Sequence, residues 1–459
     1  MSTSPIMIRP WSRGFALLEW LLDAAATTLG ATVVAILGCA LAFANWVAWS
    51  DTWVFFFLAA KPLIDLTWRL EFMEIVHQRV NPQAIVALFV VLLNGMALTL
   101  GRRKPQHYRR VLLLLSIATF SVAVTPTAWG VNELIRLFAG VSFFFSAGPA
   151  LIDKRRFDSF SILFLAILCI PLFLSLLQVA GVLPFEYWDW LDNQEVGRAS
   201  GTYQHPLEVV FFLAYAVPLG LYRWENSTKG GAERAFLLAF FLLAFSGLVF
   251  TFHRTGWIAI PTEVAIWFGL RRQMKRILLP AVALVLLAAS FGDWVSLLYR
   301  PATEIVQGEV DFESGNFLRG RGANWMIFLV SYANGGPMRW VVGRGGSVAD
   351  ASIGGIVEFS ENEPHNDFIR ILHAYGLAGL FLYLGILLLF LRRGLQLRSS
   401  RCPFESGVGR ILVCSLVGVF LLSVTAEPMR YPTAIWYLFA FGSVAMFLNQ
   451  DQKAAPHAR

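Results

Sequence analysis

Two arginines and a histidine stand close to points where apolar runs of the sequence begin. Arg198 and His205 belong to a segment that leads into one such run, and Gly201 between them permits a close approach of the backbone to a ligand. Arg254 lies in a very short link between two apolar runs. A cation there needs a partner, and arginine suits bidentate recognition of phosphate. Interfacial anchoring and snorkelling to lipid headgroups are the structural alternatives.

A second set of side chains belongs to the longest polar stretch. Arg321 and Trp325 lie inside it, and His365 and Asn366 stand at its end, where the next apolar run begins. A histidine in the first turn of a helix meets the positive end of the helix dipole, which favours the neutral imidazole. A neutral imidazole can act as a general base. A solvated helix face for Arg321 and a capping or interfacial role for His365 are the alternatives.

These residues are set in a strongly apolar chain. Of its 459 residues, 57% are hydrophobic and 15% are charged, against roughly 25% charged in ordinary soluble domains. A bilayer core takes ~20 apolar residues per helix, and such runs recur along the whole sequence. We therefore predict an all-α fold, a polytopic membrane helix bundle.

Twelve runs are predicted to span the membrane. They lie near residues 28–48, 83–101, 110–127, 131–151, 158–180, 205–222, 234–252, 255–270, 276–292, 366–391, 409–426 and 432–449. A shorter apolar stretch, from Trp53 to Trp68, carries Lys61 and Asp65. We interpret it as re-entrant or interfacial, followed by an amphipathic stretch through Asn81.

Clusters of lysine and arginine orient these helices. With twelve spans, the clusters fall on the same side as both termini; they lie at residues 102–110, 154–156, 271–276 and 392–401. Cytoplasmic loops collect basic residues, so the candidate residues are predicted to face the periplasm. If the stretch from Trp53 to Trp68 spans, the N-terminus moves outside and the orientation after residue 82 is unchanged. The net charge of +7 indicates contact with anionic lipids rather than nucleic-acid binding.

The predicted organisation has three parts. Residues 1–292 form an N-terminal transmembrane bundle, residues 293–365 a large periplasmic loop, and residues 366–459 the C-terminal transmembrane helices. The loop lies between the tenth and eleventh apolar stretches when the stretch from Trp53 to Trp68 is counted. Its middle, from Arg321 to Tyr332, has helical periodicity and is expected to form an amphipathic helix. Loops of this length are usually functional.

The motifs, taken in order, resemble those of the O-antigen ligase and O-antigen polymerase family of bacterial membrane glycosyltransferases. The matching residues are Gly201, Thr202, His205 and Pro206 for a Gly-Thr-x-x-His-Pro-like element, Arg321 with Trp325, and His365-Asn366 followed by Tyr375-Gly376. His253-Arg254 stands where family members tend to carry a Ser-Arg-like pair, and this departure leaves His253 without a predicted role. The resemblance covers about residues 198–390 and is only general before them.

The resemblance implies a GT-C-like enzyme of the bacterial inner membrane that needs no nucleotide sugar, cofactor or metal. The donor would be a glycan on undecaprenyl diphosphate, transferred with inversion to an acceptor hydroxyl at the periplasmic face. His365 would be the base, and Arg254 and Arg321 would hold the leaving diphosphate. The residues expected to bind substrate are Arg198, Gly201, His205, Trp325 and Asn366. Expected partners are a glycan or lipid-linked acceptor, membrane lipids and other polysaccharide assembly proteins.

Three activities remain open at this point. A polymerase joins lipid-linked repeat units, whereas a ligase passes finished glycan to lipid A–core or to protein. The segment from Ala60 to Asp65 resembles polymerase relatives, which favours a polymerase, and a plain charged pair at a re-entrant turn is the alternative. A transporter is the third activity, but transporters tend to show internal repeats and charges at mid-membrane. The sequence shows no such repeat, and its candidate residues sit at the membrane rim.

Overall fold

The protein is a helical bundle. The structure, a computed structural model, describes residues 51–69, 73–75, 78–80, 82–99, 104–191, 194–227, 230–273, 275, 321–345 and 364–454. Most of these residues are helical, which confirms the predicted helical class. The predicted spans near 28–48 and 276–292, and most of the loop at 293–365, lie outside the described residues.

Thirteen helices lie in the described ranges. Helix α1 comprises residues 51–66. The others are α2 Pro82–Thr99, α3 Tyr108–Val124, α4 Ala128–Leu151, α5 Lys154–Val179, α6 Pro206–Asn226, α7 Gly231–Phe250, α8 Arg254–Leu270, α9 Arg321–Ala333, α10 Gly336–Val342, α11 Asp367–Arg398, α12 Pro403–Thr425 and α13 Pro432–Ala454. Helix α9 confirms the helix predicted in the middle of the long loop.

Six of these helices have the length and composition needed to cross a membrane. The qualifying segments are Gly130–Leu151, Lys154–Val179, Pro206–Asn226, Gly231–Phe250, Asp367–Arg398 and Pro403–Thr425. Successive helices run in opposite directions. We call the end at which α4, α6, α8, α11 and α13 begin the upper end, and the opposite end the lower end.

Helix α1 runs from the lower end of the bundle to the upper end. Asp51 lies 3.9 Å from Arg156, in the first turn of α5, and the indole of Trp68 donates to the carbonyl of Thr202 at 2.9 Å, just before α6. A helix over residues 51–66 is roughly 24 Å long at ~1.5 Å per residue. The segment is therefore a helix that extends along the bundle, whereas the sequence predicted a re-entrant or interfacial segment. The two charged side chains inside it, Lys61 and Asp65, pair with each other and are both 2% exposed.

Two short hairpins interrupt the helical fold in the described ranges. Strands β1, Met73–Ile75, and β2, Gln78–Val80, replace the amphipathic stretch that was predicted through Asn81. Strands β3, Tyr187–Leu191, and β4, Gln194–Arg198, pair antiparallel with Tyr187 opposite Arg198. This second hairpin brings the chain back to the upper end immediately before α6.

Small residues let the central helices approach closely. A Cβ atom at Gly140 would lie 2.1 Å from the side chain of Ile435, and one at Gly148 would lie 2.1 Å from that of Phe447. The amide of Gly148 also donates to the hydroxyl of Ser443 at 2.8 Å. Close approach at small residues is typical of helix packing in membranes. It fixes α13 against α4 in the middle of the bundle.

Opposite charges meet at the lower end. Arg223 lies 2.8 Å from Asp158 and 2.5 Å from Glu233, which joins α6 to α5 and α7. Arg410 lies 2.8 Å from Glu225 and joins α12 to α6. At this end each of these guanidinium groups has a carboxylate partner.

Candidate active site

Four helices begin around one region of the upper end. Helix α6 is capped by His205, α8 by His253 and α11 by Asn366, and α9 starts with Arg321. The first amide groups of a helix have no partner inside it, and the helix dipole places partial positive charge there. Several helix N-termini together therefore make a region that favours a negatively charged ligand.

The two capping histidines use the same ring atom. The Nδ1 atom of His205 accepts from the amide of Leu207 at 3.1 Å, and that of His253 accepts from the amide of Gly256 at 3.2 Å. A ring nitrogen that accepts a hydrogen bond carries no proton, so the geometry assigns the proton of each neutral ring to Nε2.

Electrostatic interactions connect residues that are far apart in the sequence. Burial lowers the pKa of His253 well below its usual range, and Arg198, Arg321, His205 and His365 lower it further. Burial lowers the pKa of His205 to about 3, with smaller contributions from Arg198, His365 and Arg430. The charged groups that act most strongly on His253 are all basic. The upper end therefore gathers positive charge around two neutral imidazoles.

Arg198 is held rigidly at the end of β4. Its Nε donates to the carbonyl of Thr251 at 2.8 Å, and its guanidinium lies 5.3 Å from the ring centre of Tyr187. The ring of Tyr187 in turn packs edge-on against His205 at 4.5 Å. The β3–β4 hairpin thus positions both predicted residues against one aromatic side chain.

Gly201 allows the turn that carries the chain from β4 to His205. Its φ angle is +61°, and a Cβ atom there would lie 2.3 Å from the carbonyl oxygen of Pro171. The amides of Ser200 and Gly201 both donate to Oε1 of Gln178 at 3.0 Å. These contacts give Gly201 a structural role, whereas the sequence predicted close approach to a ligand.

His365 stands directly before the N-cap of α11 and is partly buried. Its φ angle is 47°, an uncommon value for a residue other than glycine. The neighbours on both sides are fixed: the indole of Trp325 donates to the carbonyl of Pro364 at 2.7 Å, and Nδ2 of Asn366 donates to the carbonyl of Val424 at 2.9 Å. Trp325 and Asn366 therefore hold the backbone on either side of the imidazole.

Arg254 and Arg321 occupy equivalent positions, because each is the first residue of a helix and each is partly buried. Arg321 acts electrostatically on His253, and Arg254 follows His253 in the chain. The structure thus brings His205, His253, His365, Arg198 and Arg321 together, with Arg254 beside them.

Two acidic groups lie near this region that the sequence did not assign to it. Glu208, in the first turn of α6, is 6% exposed and reaches back to the backbone N–H of His205, as in a capping box. The spacing of His205 and Glu208 could have signalled this arrangement. The second group is Asp65, which was predicted to lie in a re-entrant turn. It instead accepts from the hydroxyl of Thr433 at 2.5 Å inside the bundle.

The sequence also did not predict an ion-pair cluster next to α11. Arg370 pairs with Glu133 and lies 4.0 Å from Glu427, which is 3.9 Å from Arg430. These residues come from α4, α11 and the turn before α13, so only the folded chain brings them together. The cluster ties the first turn of α11, and hence His365, to the centre of the bundle.

Comparisons with protein-family models and with curated proteins give no match to this chain.

Proposed function

We propose that this protein is a glycosyltransferase that polymerises undecaprenyl-diphosphate-linked repeat units at the periplasmic face of the bacterial inner membrane. The observation that carries the proposal is the gathering of His365, Arg198 and Arg321 around His253 at one end of an apolar helical bundle. A lipid-linked diphosphate needs cationic groups at a membrane rim, and an acceptor hydroxyl needs a base beside them. The motif resemblance supports the same assignment.

The proposed reaction is a single displacement. The acceptor oxygen attacks the anomeric carbon of the donor from the face opposite the diphosphate, and its proton passes to the imidazole of His365. The bond between the anomeric carbon and the diphosphate oxygen breaks, and its electron pair leaves with the lipid diphosphate. Arg254 and Arg321, with Arg198, stabilise the charge that develops on that group. Attack from the opposite face inverts the anomeric configuration.

A polymerase is favoured over a ligase by the segment from Ala60 to Asp65, which resembles polymerase relatives. Asp65 is buried at the upper end through Thr433, and Trp68 contacts the backbone of Thr202. In a strain that lacks the protein, single repeat units should accumulate on the lipid carrier. Long unattached chains on the carrier would instead identify a ligase.

The proposal includes a membrane orientation in which the upper end is periplasmic. Arg156 belongs to one of the basic clusters predicted to be cytoplasmic, and Asp51 lies beside it. Helix α1 therefore runs outward in this orientation. A span at 28–48 would then start at the periplasmic side, which moves the N-terminus outside and replaces the prediction that both termini are cytoplasmic. Cysteine labelling of the N-terminus in intact cells tests this assignment.

Purified protein and a synthetic polyprenyl-diphosphate glycan test the activity directly. An enzyme of this class should release polyprenyl diphosphate and form a longer glycan, and a chelator should leave turnover unchanged. A transporter would move the lipid-linked glycan across a vesicle membrane without releasing diphosphate, and that result would overturn the proposal.

A further inference from the structure

His253 has one ring nitrogen engaged in the fold and one available to a ligand. Its Nδ1 accepts from the amide of Gly256. Its Nε2 makes no hydrogen bond to any residue in the part of the chain that the structure describes. The side chain is only 8% exposed. The fold therefore uses the Nδ1 acceptor of this imidazole and leaves its Nε2–H donor for a bound group.

His205 repeats the arrangement at the neighbouring helix. Its Nδ1 accepts from the amide of Leu207, and within the described residues its Nε2 also makes no hydrogen bond. His205 and His253 interact electrostatically, so the two rings belong to one region. Two helices that begin side by side therefore each present an Nε2–H group.

We propose that His253 and His205 donate hydrogen bonds from Nε2–H, as neutral imidazoles, to the oxygen atoms of the diphosphate leaving group. This inference rests on the proposed function, because it names two further contacts to the same substrate. It gives the three histidines of the site different roles: two are hydrogen-bond donors and His365 is the base. It also assigns a role to His253, for which the sequence offered none.

The surroundings keep both donors neutral. An imidazolium would need a proton on Nδ1 and would lose the hydrogen bond that caps its helix. It would also face Arg198 on β4, Arg321 on α9 and His365 before α11, and all of these groups lower the pKa of His253. The positive ends of the helix dipoles act in the same direction. His365 has no such capping duty, because Asn366 caps α11.

Neutral donors suit a leaving group that must also depart. The arginines of the site already supply the positive charge that the developing diphosphate needs. Additional cations would bind the lipid diphosphate product more tightly and slow its release. Neutral N–H groups add directional hydrogen bonds but hold the charged product less strongly, so it dissociates more readily. Diphosphate has enough acceptor oxygens to use the arginines and both imidazoles at once.

Two substitutions of His253 distinguish the role of its Nε2–H donor from that of Nδ1, which caps α8. His253→Asn places an oxygen near the position of Nδ1 and keeps a favoured capping residue, but it has no donor at the position of Nε2. His253→Gln places an N–H donor near the position of Nε2 and weakens the cap. Binding of inorganic diphosphate to the detergent-solubilised protein, measured by titration calorimetry, provides the readout, together with the thermal unfolding midpoint.

The Asn variant should unfold at the wild-type temperature and bind inorganic diphosphate about tenfold more weakly. The Gln variant should bind within about threefold of the wild type and unfold at a lower temperature. Asp153→Asn is the matched control, since Asp153 caps α5 at the lower end by accepting from the amide of Arg156 at 3.0 Å. It should leave diphosphate binding unchanged.

Wild-type diphosphate affinity in His253→Asn, or an equal loss in both His253 variants, would overturn the inference. If the His253 variants do not fold, His205→Asn and His205→Gln provide the same comparison. Glycosyl transfer is measured separately on the same preparations. Normal transfer with unaltered diphosphate binding in the Asn variant contradicts the donor role alone. Diphosphate binding that depends on His253, without any glycosyl transfer, contradicts the proposed function alone.

Discussion

Arg321 lies close enough to His253 for its charge to lower the pKa of that imidazole. One residue starts a helix of the long polar stretch, and the other caps a helix of the apolar bundle. Sequence separation alone gives no reason for the two to meet. Their proximity brings the long loop next to the cap of α8, and it is the geometric condition on which a shared active site depends.

Replacement of His365 should abolish glycosyl transfer without unfolding the protein. Loss of a general base lowers rates by about 10²–10⁴-fold. His365→Asn is the sharper variant, because asparagine tolerates a positive φ angle better than alanine does. His365→Asn and His365→Ala should both be inactive in an assay of polyprenyl diphosphate release. His365→Ala should also have a free energy of unfolding about 1 kcal/mol lower than that of His365→Asn. Near-normal turnover in His365→Asn would remove the assignment of the base.

Replacing Arg254 or Arg321 even with lysine should reduce glycosyl transfer. Lysine keeps the charge but cannot form the bidentate contact of a guanidinium, so each lysine variant should lose about tenfold in kcat/KM or more. Alanine at either position should abolish transfer. Arg339 is an exposed arginine of α10 and serves as the control. If Arg339→Ala and Arg321→Ala have equal effects, general loop charge rather than a specific contact explains the result.

Acid should destabilise the protein through His205 and His253. The unfolded chain binds a proton at each histidine below pH ~6.5, whereas the folded state holds the pKa of His205 at about 3. The free energy of unfolding should therefore fall as the pH drops below ~6.5, by at most about 2 kcal/mol per histidine at pH 5. Thermal unfolding midpoints at pH 7.5 and pH 5 measure the effect. His205→Asn should reduce the difference between the two midpoints, and an unchanged difference would contradict the prediction.

Replacing Lys61 alone should lower the free energy of unfolding more than replacing Lys61 and Asp65 together. Lys61→Met leaves a buried carboxylate without its cation and should lower the free energy of unfolding by about 3–5 kcal/mol. The double variant with Asp65→Leu removes both charges, although it also leaves the hydroxyl of Thr433 without its acceptor. It should recover more than half of the loss. Equal stability of the single and double variants would contradict the expected recovery.

Gly201→Ala should be more harmful than Gly181→Ala. Both glycines have a positive φ angle, but a Cβ atom at Gly201 meets the carbonyl of Pro171 at 2.3 Å, while one at Gly181 meets nothing within 4 Å. The Gly181 variant should lose about 1 kcal/mol of unfolding free energy, and the Gly201 variant clearly more. Comparable thermal unfolding midpoints for Gly201→Ala and Gly181→Ala would mean that the turn before His205 accommodates the added Cβ atom easily.

The sequence predicted helices where apolar residues recur over a long run. Long apolar runs predicted helices α2 to α8 and α11 to α13, because a membrane helix needs a continuous apolar surface. Helix α1 was not predicted as a span because its apolar run is short. Lys61 and Asp65 interrupt its apolar run, and only the fold shows that each neutralises the other.

The sequence indicated several residues of the candidate site but not its geometry. Histidine and arginine at the starts of apolar runs indicated the region, since helix N-termini meet at one end when successive helices alternate in direction. The capping role of His253 was not visible, because histidine is not among the residues usually favoured as an N-cap. The ring contact between Tyr187 and His205 depends on a hairpin that the apolar pattern did not predict.

The contrast between the two ends of the bundle has a consequence for how the protein is built. At the lower end, Arg223 and Arg410 meet carboxylates. At the upper end, Arg370 and Arg430 also lie beside carboxylates, whereas the charged groups that act most strongly on His253 are basic. In the proposed function, a bound diphosphate would place negative charge next to these basic groups, and its binding would raise the free energy of unfolding.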